Sequence, residues 1–282
     1  RLNRDLAKTT IERKLHVVIV GGGATGVELS AELFKARQLF ATYGLHNVRP
    51  EHLQVSLIEA GPCLLPALSE RISSAVYTEL EELGVNVNLS TMITCAEKGA
   101  LITKDGTRFD ADLIVWAAGV KAPDFLRNFG GLETNRANQL LVDSTLQVKG
   151  DSAIFALGDC AGCEMMGADG EVRWVPPRAQ SAHQMASLVA KNIRNLHAGK
   201  PLVDFQYSDY GSLVSLSDFT AFGRLMGGLS TGSLSVEGRI ARLAYVSLYR
   251  MHQLAIHGWV KTLLVALSDK INHFIRPRLK LH

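Results

Sequence analysis

Cysteine is scarce in this chain. The thiols at positions 63, 95, 160 and 163 are too few, among 282 residues, for a disulfide framework and suit a reducing compartment. Long apolar runs are missing too. The longest, Leu254 to Leu267, is interrupted by His257 and Lys261 and falls short of the roughly 20 apolar residues a membrane-spanning helix requires. Net charge is only +3, which argues against nucleic acid as a partner. Cys160 and Cys163 form a C-x-x-C with no second pair to complete a zinc site. They read as structural thiols, and no metal is expected. An initiator Met is also lacking, and the polar start at Arg1 reads as a segment whose beginning lies upstream. Internal repeats and low-complexity runs are absent.

What is present is an ordinary globular mix, 47% hydrophobic and 20% charged, long enough for two modest domains. Charge is distributed unevenly. Eight of the 30 Lys/Arg but one acid, Asp269, lie from Arg239 onward, so the positive excess belongs to the C-terminal segment. Apolar β-branched runs at 16–20, 54–58 and 113–117 read as buried strands, and 27–40 and 69–83 as helices. Short strands are expected at 85–90, 100–104 and 108–109 around the Asp105-Gly106 turn. This alternation indicates a parallel-sheet nucleotide domain. Residues 122–138 read as irregular, 140–142 and 153–157 as strands, 179–196 as a helix, 203–216 as alternating strands, and 240 onward as amphipathic helix.

Gly21-Gly22-Gly23-Ala24-Thr25-Gly26 fits G-x-G-x-x-G between the first strand and the first helix. Gly21 allows a tight turn, Gly23 lets a pyrophosphate approach the backbone, and Gly26 permits close helix–strand packing. Glu59, ending the second strand, is placed to hold ribose hydroxyls and to repel a 2′-phosphate, favouring NADH over NADPH. Its distance from Gly26 exceeds the usual spacing because of an inserted loop at 41–52. Glu28 reads as an acid in the first helical turn, favoured by the helix dipole, or as a group beside the nicotinamide.

The runs 20–29 (VGGGATGVEL), 116–120 (WAAGV), 155–161 (FALGDCA) and 177–184 (PRAQSAHQ), in this order and followed by the basic C-terminal segment, resemble those of bacterial type II NADH:quinone oxidoreductases. The resemblance covers essentially the whole chain. It implies an α/β flavoprotein with two dinucleotide-binding domains, the Rossmann-like NADH domain inserted in an FAD domain, and a C-terminal amphipathic helical region that docks on the membrane. The implied boundaries are 12–120 for the NADH domain, 121–215 for the C-terminal part of the FAD domain, and 216–282 for the docking region. A single glycine turn is present, matching the NADH-binding one. The family's N-terminal FAD-binding segment is therefore expected to lie outside this sequence.

The resemblance also implies roles. Gly21, Gly23 and Gly26 would cradle NADH, Glu28 would lie by its nicotinamide, and Gly119 would close the adjacent loop. Asp159 would accept hydrogen bonds from FAD. Gln180, His183 and Gln184 share one helix face and would lie beside the flavin and a membrane quinone, His183 assisting proton delivery. The basic residues among Leu254, Trp259, Leu263 and their neighbours suit an anionic membrane surface met through residues 240–282. The implied location is the cytoplasmic face of the bacterial inner membrane, peripheral, with a homodimer compatible with the same region. Three alternatives stand: a flavin-dependent reductase with a soluble protein acceptor, a sulfide:quinone-type enzyme using its cysteines, and an inactive NADH-binding fragment.

Overall fold

The computed structural model describes residues 14–38, 40, 49–167, 170–216, 220–226 and 233–275. Residues 41–48 of the inserted loop, and Arg276, Arg278 and Lys280 of the basic segment, lie outside the described residues. Packing divides the chain into one unit of residues 1–118 with 211–282 and another of residues 119–210.

The first unit is built on a four-stranded parallel sheet. β1 (Leu15–Val20) is followed by α1 (Ala24–Gln38), β2 (Leu53–Ile58), α2 (Glu70–Glu82) and β3 (Asn86–Asn88). A small antiparallel sheet follows, β4 (Ile93–Glu97), β5 (Ala100–Thr103) and β6 (Arg108–Asp110), before β7 (Leu113–Trp116) returns to the main sheet. The main sheet has the order β3-β2-β1-β7, so β1 is flanked in parallel by β2 and β7.

β1 is apolar at successive positions because both of its faces are covered, as parallel strands require. Val17 and Ile19 pack with Val27, Ala31, Ile72 and Val76 on the helical face. Val18 and Val20 pack with Ile58, Leu101 and Ala111 on the other face, where β5 contributes Leu101. Each such aliphatic side chain, fully buried, contributes about 1.5–3 kcal/mol over its exposed state. Ser69 precedes α2 as its N-cap but makes no side-chain capping bond.

The second unit is mostly loop and short strand. Residues 122–138 hold two 3₁₀ turns, Asp124–Leu126 and Phe129–Gly131. β8 (Leu140–Leu141), β9 (Gln147–Val148), β10 (Asp151–Phe155), β11 (Ala161–Gly162), β12 (Glu164–Met166) and β13 (Val172–Trp174) pair two by two. They lead to α3 (Ala179–His197). The apolar face of α3, Met185 and Val189, is buried with Leu140, Leu146 and Ala156.

The remainder joins the first unit. β14 (Gly211–Leu216), β15 (Thr220–Met226) and β16 (Ser233–Glu237) form an antiparallel sheet, followed by α4 (Gly238–Ile275). Strand character expected from residue 203 begins only at Gly211. Residues 203–210 carry no regular secondary structure, for a reason given below. α4 is broken at Gly258 (φ +73°, ψ +169°). Arg250 donates to Asp269, 19 residues later, at 2.8 Å. At 1.5 Å rise per residue a continuous helix would hold those positions about 28 Å apart, so the helix doubles back at Gly258. No helix among the described residues is long and apolar enough to cross a membrane.

Candidate functional site

The glycine turn lies at the carboxyl end of β1. Gly21 has φ +116°, and a Cβ there would sit 2.7 Å from the backbone N of Ala118 and 2.8 Å from the carbonyl carbon of Ala117. The turn therefore closes on the residues following β7, and no side chain is tolerated. A Cβ at Gly26 would lie 1.9 Å from the carbonyl oxygen of Gly21, so α1 starts in direct contact with the turn. At Gly23 a Cβ would meet nothing within 4 Å. This open, exposed position immediately precedes the unpaired N–H groups of α1, where a helix attracts phosphate. The three glycines thus shape the turn in three different ways: closure on the neighbouring strand end, contact with the helix start, and open space before it.

Glu59 ends β2 and reaches back to the turn. Its Oε2 accepts from the Gly22 N–H at 2.5 Å and its Oε1 from the Gly61 N–H at 2.7 Å. The carboxylate braces the turn while keeping lone pairs free for ribose hydroxyls, since an ionised carboxylate has about four acceptor positions. Gly22 is a member of the site that the motif alone did not single out. Its N–H is the one clamped by Glu59, and a Cβ there would come within 2.8 Å of Leu64 Cδ2. The middle position of a triple glycine carried the signal. Glu28 is the fifth residue of α1, and no acid lies in the helix's first turn. The dipole reading of Glu28 is corrected accordingly.

Gly119, Asp159, Gln180 and His183 belong to the second unit. Gly119 has φ +73°, a conformation glycine adopts without strain. Gly158 (φ +68°) and Asp159 form a turn that packs on α3, the Gly158 N–H pointing at Met185 Sδ at 3.3 Å. Asp159 is exposed, and its carboxylate makes no hydrogen bond among the described residues.

On α3, Gln180 and Gln184 are not a free polar stripe. Gln184 exchanges two bonds with the backbone of Ser208, donating at 2.8 Å and accepting at 2.9 Å. Gln180 accepts from the Tyr210 N–H at 3.1 Å and donates to Asp209 Oδ1 at 3.2 Å. Arg178 completes the group with a 3.5 Å contact to Asp209. A buried Asn192 repeats the pattern on Val203, donating and accepting at 2.9 Å. His183 is exposed. Shared spacing showed the common face, but not that a segment from beyond the helix occupies it.

All four cysteines are free thiols. Burial pushes the Cys163 thiol up to about 11, so it stays protonated near neutrality and is no nucleophile. Among the described residues no cluster of His, Cys, Asp or Glu is arranged to hold a metal.

The profile of the pyridine nucleotide-disulphide oxidoreductase family matches residues 2–186. The chain belongs to this family. Within the pyridine nucleotide-disulphide oxidoreductases its curated relatives bear out the resemblance drawn from the four motifs. It is 54% identical over 98% of its length to a type II NADH:quinone oxidoreductase of Haemophilus influenzae, and 31% identical over 80% to one of Staphylococcus aureus. It spans 61% and 55% of those relatives' own lengths. Among solved structures it is similar to NDH2 from Plasmodium falciparum in complex with NADH, at TM-score 0.74 and 19% identity, covering 98% of this chain and 68% of that one. A NAD-dependent persulfide reductase from A. fulgidus aligns at TM-score 0.56 and 22% identity, over 79% of this chain and 38% of that one. These structural likenesses bear on the α/β fold, which they share with this chain.

Proposed function

We propose that this pyridine nucleotide-disulphide oxidoreductase passes electrons from NADH through FAD to a membrane quinone without pumping protons. The observation that carries the reading is the glycine turn, closed on Ala117–Ala118 and braced by Glu59, with open space at Gly23 before a helix N-terminus. Residues 12–120 bind NADH. Gly21, Gly23 and Gly26 seat the pyrophosphate, Glu59 takes the adenosine ribose, and Glu28 and Gly119 border the nicotinamide end. Residues 121–215 face the flavin. The exposed, unengaged carboxylate of Asp159 suits ribityl hydroxyls through charge-assisted bonds. When bound, FAD supplies the two-electron redox chemistry. Gln180, in the first turn of α3, orients a carbonyl-bearing ring. His183, exposed on the same helix, moves protons at that ring.

Residues 216–282 dock the protein peripherally on the cytoplasmic face of the bacterial inner membrane. The support is the α4 reversal. Around Gly258, Ile256 is 76% exposed, Trp259 72% and Leu263 63%, a density of large apolar side chains that marks an interaction surface. Lys261 and Lys270 lie among them and favour anionic lipid. A quinone stays in the bilayer, so the site must come to it.

The deciding experiment is anaerobic. The chain is mixed with FAD and NADH, and the flavin's visible band is followed. Bleaching faster than with free FAD, reversed by quinone, is expected. A rate equal to that of free FAD refutes the reading for this chain.

A further inference from the structure

Trp116 is the last residue of β7 and is 57% exposed. Its indole N–H donates to the Ala118 carbonyl at 3.0 Å, which holds the exposed ring in one orientation. Trp116 is the lateral partner of Val20, the residue immediately before the glycine turn. The Ala117 N–H bonds to the Val20 carbonyl at 2.8 Å, and the turn at Gly21 rests on Ala117 and Ala118. A fixed aromatic face therefore stands on the rim of the turn.

The topology says which part of a dinucleotide reaches it. The sheet order β3-β2-β1-β7 puts the turn at the middle of the carboxyl edge. Glu59, at the end of β2, lies to one side of that turn. With the pyrophosphate on the turn and the adenosine ribose at Glu59, the other half of the molecule extends past β1 toward β7. We propose that Trp116 is a positioning residue whose indole stacks on the nicotinamide half of NADH. The proposal rests on the NADH reading above. A flat ring held in place by its own N–H bond loses little freedom on binding, so the stacking carries through to affinity.

The test is calorimetric titration of the full chain with NADH and with ADP-ribose, which has the same adenosine and pyrophosphate but no nicotinamide. Trp116→Ala is expected to weaken NADH about fivefold, the order expected for one aromatic contact, and to leave ADP-ribose unchanged. Trp116→Phe, which keeps a ring but not the N–H bond to Ala118, is expected to retain most of the affinity. Unchanged ADP-ribose binding reports that the turn is still folded in both variants. Equal losses for both ligands, or equal losses for Phe and Ala, would mean that Trp116 only braces the loop, and the proposal falls. Unaltered NADH affinity in Trp116→Ala overturns it too. A wild-type chain that binds neither ligand overturns the NADH reading itself. Binding of ADP-ribose without any gain from nicotinamide spares that reading and overturns the stacking alone.

Discussion

Glu59→Gln separates the brace that one carboxylate forms from the ribose-binding task proposed for it. The wild-type oxygens each accept from a backbone N–H, of Gly22 and of Gly61. A glutamine offers one oxygen and one NH₂, so one of the two N–H groups must face a donor. Losing a charge-assisted bond at a buried position costs roughly 1.5–3 kcal/mol. At this half-exposed one the loss is about 1 kcal/mol, or a fall of some 3 °C in Tm. The second effect is on selectivity. Removing the negative charge removes repulsion toward a 2′-phosphate, worth about 1 kcal/mol after screening, or some fivefold in the NADPH-to-NADH affinity ratio. Glu59→Asp divides the two effects. It keeps the charge but is one methylene too short to span both N–H groups, so it loses stability and keeps the preference for NADH. The assays are thermal unfolding and titration with each nucleotide. A Glu59→Gln variant with an unchanged ratio refutes the ribose assignment, and one with an unchanged Tm refutes the brace.

Gly26→Ala is expected to abolish nucleotide binding and lower stability by about 1–3 kcal/mol, because its Cβ would lie 1.9 Å from the Gly21 carbonyl oxygen; denaturant melts and titration with NADH check this. At pH 8 the exposed Cys95 is expected to label rapidly with a thiol reagent, while Cys163, its thiol pushed from 9.0 to about 11, labels only on unfolding; early Cys163 labelling contradicts its burial. Because its pKa is raised in the folded state, burial of the neutral Cys163 thiol stabilises the fold fully below pH 9, and that contribution is lost as the pH rises toward 11, a decline that Cys163→Ala should remove from the pH dependence of the melting curve. Replacing Ile256, Trp259 and Leu263 together by Glu is expected to release the chain from anionic vesicles without changing its unfolding midpoint, since all three are exposed; retention on the vesicles refutes the docking surface, and a wild-type dimer that the variant breaks would point to a second copy instead.

Much of the first unit was legible because its signals are local. The apolar run of β1 ending in glycines needs no distant partner to be read, whereas its register with β2 and β7 is not legible there, because a strand apolar on both faces carries no alternation to fix it. β4 escaped notice because Ile93-Thr94-Cys95-Ala96-Glu97 is largely exposed and carries no apolar alternation. The hairpin of β12 and β13 was missed for a similar reason, its outward Met166, Val172 and Trp174 giving no polar face to mark the period. Residues from 240 onward read as one amphipathic helix, without a break at Gly258. Only the contact between Arg250 and Asp269 reveals a reversal, and no rule of spacing within a helix anticipates a partner 19 residues away. The site shows the same division. The glycines and Glu59 were visible from motif and position, whereas the partners of Gln180 and Gln184 lie 24 to 30 residues along the chain.

Those amides have a wider consequence. Gln180, Gln184 and Asn192 engage residues 203–210 through carboxamides that present the same donor and acceptor as a peptide group, so α3 performs for that segment the office of a neighbouring strand. What is read is the backbone of Val203, Ser208 and Tyr210, not their side chains. The course of the segment is thus written in the sequence of the helix. The segment is held by side chain as well, at Asp209 and through Phe205 and Tyr207 packed on the core, and an exchange of either glutamine for the isosteric glutamate, which cannot donate, would unfasten a stretch of chain that lies far from it in sequence.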